Sequence, residues 1–131
     1  MNLSPAQLDH LVSKLKKDRR IAAAYLMGSA LTNRYRSDSD VDIAILLVPG
    51  TKMHLIERLE LAADLETLLA HPVDIGLLST QDLVYAKEAI VAGRCIFARD
   101  PAFKNLFAAT ALSLYFQLHR QRKEVEDAYS A

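Results

Sequence analysis

Asp40, Asp42 and Asp74 are the residues of this sequence whose type and placement best suit chemistry. Asp40 and Asp42 lie in "SDSDVDIAILLV", where turn-forming residues lead straight into an apolar run, and Asp42 stands between Val41 and Ile43. The two-residue period of a strand puts Asp40 and Asp42 on one face and Val41 and Ile43 on the other. An unpaired buried charge costs on the order of several kcal/mol, so Asp42 calls for a partner cation, a metal or protonation. Two carboxylates one pleat apart also repel. A hard divalent cation reverses that repulsion, because magnesium prefers oxygen ligands and takes one or two carboxylates together with substrate phosphates.

Two further features fit the same chemistry. Gly28-Ser29 follows the apolar run "IAAAYLM" and precedes a segment read as one or two helical turns. Free backbone N–H groups there can receive a phosphate, and glycine lets it come close. Asp74, in "PVDIGLL", is a second carboxylate embedded in an apolar strand. If the strands at 40–48 and 72–78 are neighbours in register, Asp40, Asp42 and Asp74 can converge. Each feature also has a plainer reading. Gly28-Ser29 is then a strand stop with a helix cap, Asp38 a turn residue, and Asp74 a partner for backbone donors at a strand start. A single metal–phosphate site explains the set more economically than three coincidences.

The elements that must hold these residues follow from local pattern. Ser4, Pro5 and Gln7 form a capping box with proline at the first helical position, and Leu8, Leu11, Val12 and Leu15 share a helical face. Residues 21–27 read as a buried strand, 41–48 as a strand closed by Pro49-Gly50, and 52–70 as a helix. A third strand is expected over 72–78, a helix from a Ser79/Thr80 cap to Gly93, and a fourth strand over 94–98. Asp100-Pro101 then starts a long helix with Phe103, Phe107, Leu114, Leu118 and Val125 on one stripe. The alternation predicts one α/β (α+β) domain over residues 1–131, a mixed sheet of about four strands covered by helices.

Composition narrows the function. The chain has 131 residues, 51% of them hydrophobic and 24% charged, which suits a single folded core. Sixteen basic residues balance sixteen acidic ones, arguing against sequence-independent nucleic-acid binding and against a membrane surface. The one cysteine, Cys95, allows no intrachain disulfide and reads as a small buried hydrophobe. No run reaches the length of a membrane span, and the N-terminus lacks the pattern of a signal peptide, so a cytoplasmic location is the default expectation. His10, His54, His71 and His119 are scattered and suggest no Ser-His-Asp set.

Gly28-Ser29, ten intervening residues and Asp40-Val41-Asp42 form a G-S-x10-D-x-D pattern. With the preceding helix and Val73-Asp74 in the third strand, the chain resembles the minimal nucleotidyltransferase branch of the DNA polymerase β-like nucleotidyltransferase superfamily. The resemblance implies that Asp40, Asp42 and Asp74 are catalytic magnesium ligands, with Asp74 also acting on the attacking hydroxyl. Gly28 and Ser29 would hold the phosphates of ATP, and Asn33 stands where relatives often have glycine. Two shared ions can stabilise the attacking and leaving oxygens together. Catalytic members of the branch are antitoxins that transfer AMP to a tyrosine of a HEPN-domain ribonuclease toxin, which implies a hetero-oligomeric partner. The last helix lacks the R-x4–6-H arrangement of such toxins, since no histidine follows Arg120 or Arg122. Two other functions stay open: a non-catalytic antitoxin that neutralises its partner by occlusion through the apolar last helix, and nucleotidyl transfer to a small molecule. The latter usually needs a second domain.

Overall fold

The computed structural model describes residues 3–27 and 40–130. The capping box forms as the sequence predicts. Ser4 Oγ accepts from the Gln7 N–H at 3.1 Å and Gln7 Oε1 accepts from the Ser4 N–H at 2.9 Å, starting α1 (Pro5–Lys17). After it come β1 (Ile21–Leu26), β2 (Val41–Leu47), α2 (Leu55–Leu69), β3 (Val73–Leu77), α3 (Leu83–Ala92), β4 (Arg94–Ala98) and α4 (Pro101–Ser130). The short helix expected after Ser29 lies outside the described residues.

The strands form one mixed sheet in the order β3-β2-β1-β4. β1 runs antiparallel to β2 and β4, whereas β2 and β3 are parallel. A parallel pair cannot be joined by a hairpin, and α2 supplies the crossover. On one face, Leu11 and Leu15 of α1 and Leu61, Leu65 and Leu69 of α2 pack on Val41, Ile43, Ile45, Val73 and Ile75. On the other, Ala86 and Ala89 of α3 and Ala111 of α4 pack on Ala23, Tyr25, Ala44 and Leu46. β1 is buried along its whole length, which explains why its alanine-rich sequence is apolar without alternation.

Three expectations need correction. The cap of α3 is Asp82, whose Oδ1 accepts from the Tyr85 N–H at 3.1 Å, while Ser79 Oγ accepts from the Gln81 N–H and so serves the preceding turn. The apolar stripe of α4 is not core throughout. Phe103 and Phe107 pack on the sheet and Ala111 is buried, but Leu114 and Val125 are exposed, and every described residue from His119 to Ser130 faces solvent. A helix of 30 residues is about 45 Å long, more than the domain behind it can cover. Cys95 is half-buried rather than buried, its thiol 3.5 Å from the Phe97 carbonyl. Among the described residues no helix is long and apolar enough to cross a membrane.

Candidate active site

Parallel pairing of β2 with β3 sets the geometry of the site. Val41 stands opposite Val73, Asp42 opposite Asp74, Ile43 opposite Ile75 and Ala44 opposite Gly76. The valines and isoleucines enter the core under α1 and α2, so alternation turns Asp42, Asp74, Ala44 and Gly76 to the face covered by α3 and α4. The backbone around Asp42 is fixed from both sides. The Val41 N–H donates to the Pro72 carbonyl at 2.8 Å, and the Met27 N–H donates to the Asp42 carbonyl at 2.9 Å. Asp42 is half-buried, Asp74 is exposed at the sheet margin, and Asp40 is exposed just before β2 begins.

Burial pushes the Asp42 carboxyl above the usual carboxylate range, and the negative charges of Asp74 and then Asp40 push it further. Asp42 therefore feels the charge of both other acids. They are not gathered into a preformed cage, however: among the described residues no three His, Cys, Asp or Glu side chains are close enough to hold a metal ion. The in-register pair expected of Asp42 and Asp74 is present, whereas full convergence with Asp40 is not. Facing carboxylates supply only oxygen donors, and the charge on Asp42 is opposed by its neighbours instead of compensated. Such a donor set fits a hard cation such as magnesium. Gly28, Ser29 and Asn33 lie outside the described residues.

Tyr85 is a part of the site that the sequence reading missed. From the first turn of α3 its ring lies over Gly76, where a Cβ would overlap the phenolic oxygen and come within 2.6 Å of Cζ. Burial pushes the Tyr85 phenol up to about 12, with Asp42, Asp74 and Asp82 acting in the same direction and Arg58 opposing them. The phenol is thus a neutral hydroxyl beside two carboxylates. Gly76 carried a usable signal, since a glycine inside a strand often marks close approach by another group. Tyr85 carried none, because an aromatic residue in an apolar helix reads as core.

Residues 9–102 match the family described as Polymerase beta, Nucleotidyltransferase. The chain belongs to the polymerase β nucleotidyltransferase family. Within it, the chain is 27% identical over 121 residues to protein adenylyltransferase MntA of Shewanella oneidensis, covering 91% of this chain and 85% of that protein. A chain in a solved toxin–antitoxin structure with AMP-PNP is 27% identical, with a TM-score of 0.75 over 94% of this chain and 98% of its own. Another, from a complex of tri-AMPylated Shewanella oneidensis HEPN toxin with MNT antitoxin, is 25% identical, with a TM-score of 0.74 over 96% and 98%. The nucleotidyltransferase described here is a small domain whose described residues form a four-stranded mixed sheet.

Proposed function

We propose that this nucleotidyltransferase is an antitoxin that transfers AMP from ATP to a tyrosine hydroxyl of a HEPN-domain partner, in the cytoplasm and with magnesium. The observation that carries the reading is the in-register pairing of Asp42 and Asp74 on one face of the sheet, in a chain that resembles a protein adenylyltransferase over nearly its whole length.

In this reading Asp42 and Asp74 hold magnesium with Asp40 at the entrance to the strand, and Gly28 and Ser29 receive the nucleotide's phosphates. The bound metal supplies neutralisation of the triphosphate charge. Asp74, on the outer strand, meets the incoming hydroxyl and accepts its proton. The tyrosine oxygen forms a bond to the α-phosphorus, the bond from that phosphorus to the β-phosphate oxygen breaks, and pyrophosphate leaves with the electron pair. Positioning and charge neutralisation suffice for such a transfer, which explains why no residue here needs to form a covalent intermediate. Tyr85, held neutral, keeps a hydroxyl beside the acids without adding a third negative charge.

The exposed apolar residues of α4, Leu106, Leu114 and Phe116 among them, favour a second reading in which the chain neutralises its partner by occlusion alone. One experiment separates the two. The protein is incubated with labelled ATP, magnesium and the HEPN-domain product of an adjacent gene, and the partner is analysed by mass spectrometry. AMP on a partner tyrosine with the wild-type chain, and none with Asp42→Asn, is the expected result. An unmodified partner that is nonetheless neutralised by both proteins would support occlusion.

A further inference from the structure

β3 is an outer strand of the sheet. The Val41 N–H donates to the Pro72 carbonyl and the Leu78 N–H to the Ile45 carbonyl, each at 2.8 Å. By the alternation of a parallel ladder, residues 72, 74, 76 and 78 turn their backbone groups to β2, and 73, 75 and 77 turn theirs to the open edge. Glu66 Oε1 accepts from the Val73 N–H at 3.1 Å, which closes the edge there, and from Ile75 onward no strand pairs with this edge among the described residues. Beside it runs a cleft of about 300 Å³ between α2 and β3, and Asp74 is in its lining.

The α2 wall of this cleft is unusual for a solvent face. Leu55 and Leu59, one turn apart, are 57% and 56% exposed and flank Arg58. Arg58 is half-buried, and among the described residues its guanidinium has no hydrogen bond or ion pair. Its charge nevertheless reaches Tyr85 beside the acid pair. A single exposed leucine is ordinary. Two leucines around an arginine that has no hydrogen bond or ion pair among the described residues, in a cleft that shares Asp74 with the reacting centre, form a surface of mixed apolar and cationic character. Aliphatic walls and unpaired strand groups suit a polypeptide and offer little to a triphosphate.

We infer that this cleft seats the acceptor protein: an extended segment lies along the open edge of β3, sets an apolar side chain between Leu55 and Leu59, and pairs a carboxylate with Arg58, so that its tyrosine arrives at Asp74. The inference rests on the proposed AMP transfer and specifies the acceptor segment as one with an acidic residue near the modified tyrosine. Arg58 is then a specificity-determining residue, and one that need not touch the nucleotide.

The test is steady-state AMP transfer to the HEPN-domain partner, with acceptor and ATP varied separately, for the wild-type chain, Arg58→Glu and Leu55→Ser. Leu55 is mostly exposed, so Leu55→Ser keeps the fold even if Arg58→Glu does not. Arg58→Glu should raise the acceptor KM by about tenfold or more, as expected when an attractive charge contact becomes repulsive, and leave the ATP KM within about twofold. Leu55→Ser should raise the acceptor KM by about threefold to tenfold. Reversing the acidic residue of the acceptor to lysine should restore transfer by Arg58→Glu. An unchanged acceptor KM in the folded variants, or an effect confined to the ATP KM, overturns the inference while leaving AMP transfer standing. If the wild-type chain modifies no partner, the functional reading falls and the acceptor cleft falls with it.

Discussion

Asp42 of β2 and Asp74 of β3 are direct partners across a parallel ladder, on the side of the sheet away from α1 and α2. Two acids at adjacent positions oppose folding, since burial and mutual repulsion both raise the Asp42 carboxyl. A raised carboxylate pKa means that the folded state binds the proton more tightly than the unfolded state. The penalty is therefore present in full above the folded pKa and is relieved as pH falls through it. Asp42→Asn should remove this penalty. Its thermal midpoint should lie above that of the wild-type chain at pH 7, with the gap narrowing as pH falls through the raised Asp42 value. Transfer should fall by about 10²–10³ or more, the usual size for loss of one preorganised electrostatic group. An Asp42→Asn protein less stable than wild type at pH 7 would contradict the electrostatic account.

Nucleotide binding should depend on divalent metal. Without it the same acids repel the triphosphate as well as each other. Calorimetric titration with ATP should give clear binding in magnesium and at least about tenfold weaker binding in EDTA, corresponding to about 1.4 kcal/mol. Equal affinities in the two buffers would remove the metal from the proposed site.

Gly76→Ala tests the contact with Tyr85. The added methyl must displace the ring, because its Cβ would sit inside the contact distance of both the hydroxyl and Cζ. Overpacking of this kind costs about 1–3 kcal/mol, measurable as a lower urea midpoint with unchanged m-value. Tyr85→Ala in the same chain should cancel most of the Gly76→Ala effect, since the two residues share one space. Additive losses would show that Gly76 is needed for another reason.

Far from the acids, Arg20 ties the turn after α1 to the start of α2. Its Nε donates to Asp18 Oδ1 at 3.0 Å and its Nη2 to Asp18 Oδ2 at 2.8 Å, while Nη1 reaches the Lys52 carbonyl at 3.1 Å and also the Glu57 carboxylate. Arg20→Ala should cost about 1–2 kcal/mol, more than an isolated surface pair because one side chain serves several partners. The Arg20 hydrogen bond is the largest cause holding the Asp18 carboxyl below its ordinary value of 3.8. A lowered carboxylate pKa adds stability that is present above 3.8 and is lost as pH falls through the folded value. The difference between wild type and Arg20→Ala should accordingly shrink below about pH 4 in acid titrations followed by circular dichroism.

Much of this architecture is legible in the sequence because local chemistry and tertiary packing agree. Ser4 and Gln7 cap α1 as their spacing predicts, and the apolar runs around Asp42 and Asp74 become the neighbouring parallel strands that the site requires. The errors arise where local pattern and packing part. Ser79 and Thr80 are good cap residues, yet Asp82 caps α3, and the first turn of that helix carries Tyr85 over Gly76. The stripe of α4 keeps its helical period beyond the edge of the domain, and periodicity alone cannot say where the supporting surface ends. Arg58 and Tyr85 were invisible as site residues for a related reason. Their placement depends on how α2 and α3 close over β3, and neither sits in a spacing pattern that chemistry would demand.

The crossover through α2 also carries a kinetic consequence. Asp42 and Asp74 lie on opposite sides of that helix in the chain, so they meet only when the β2–α2–β3 unit closes. A ribosome-bound chain that has released β1, β2 and α2 can already hold a hairpin-like pair and a helix, but no acid pair. The repulsion then falls on the closing step, where chain entropy is also lost before contacts repay it. Magnesium that binds only the closed pair would therefore slow unfolding more than it speeds folding. The metal would act less as a nucleus for the fold than as a latch on the finished one.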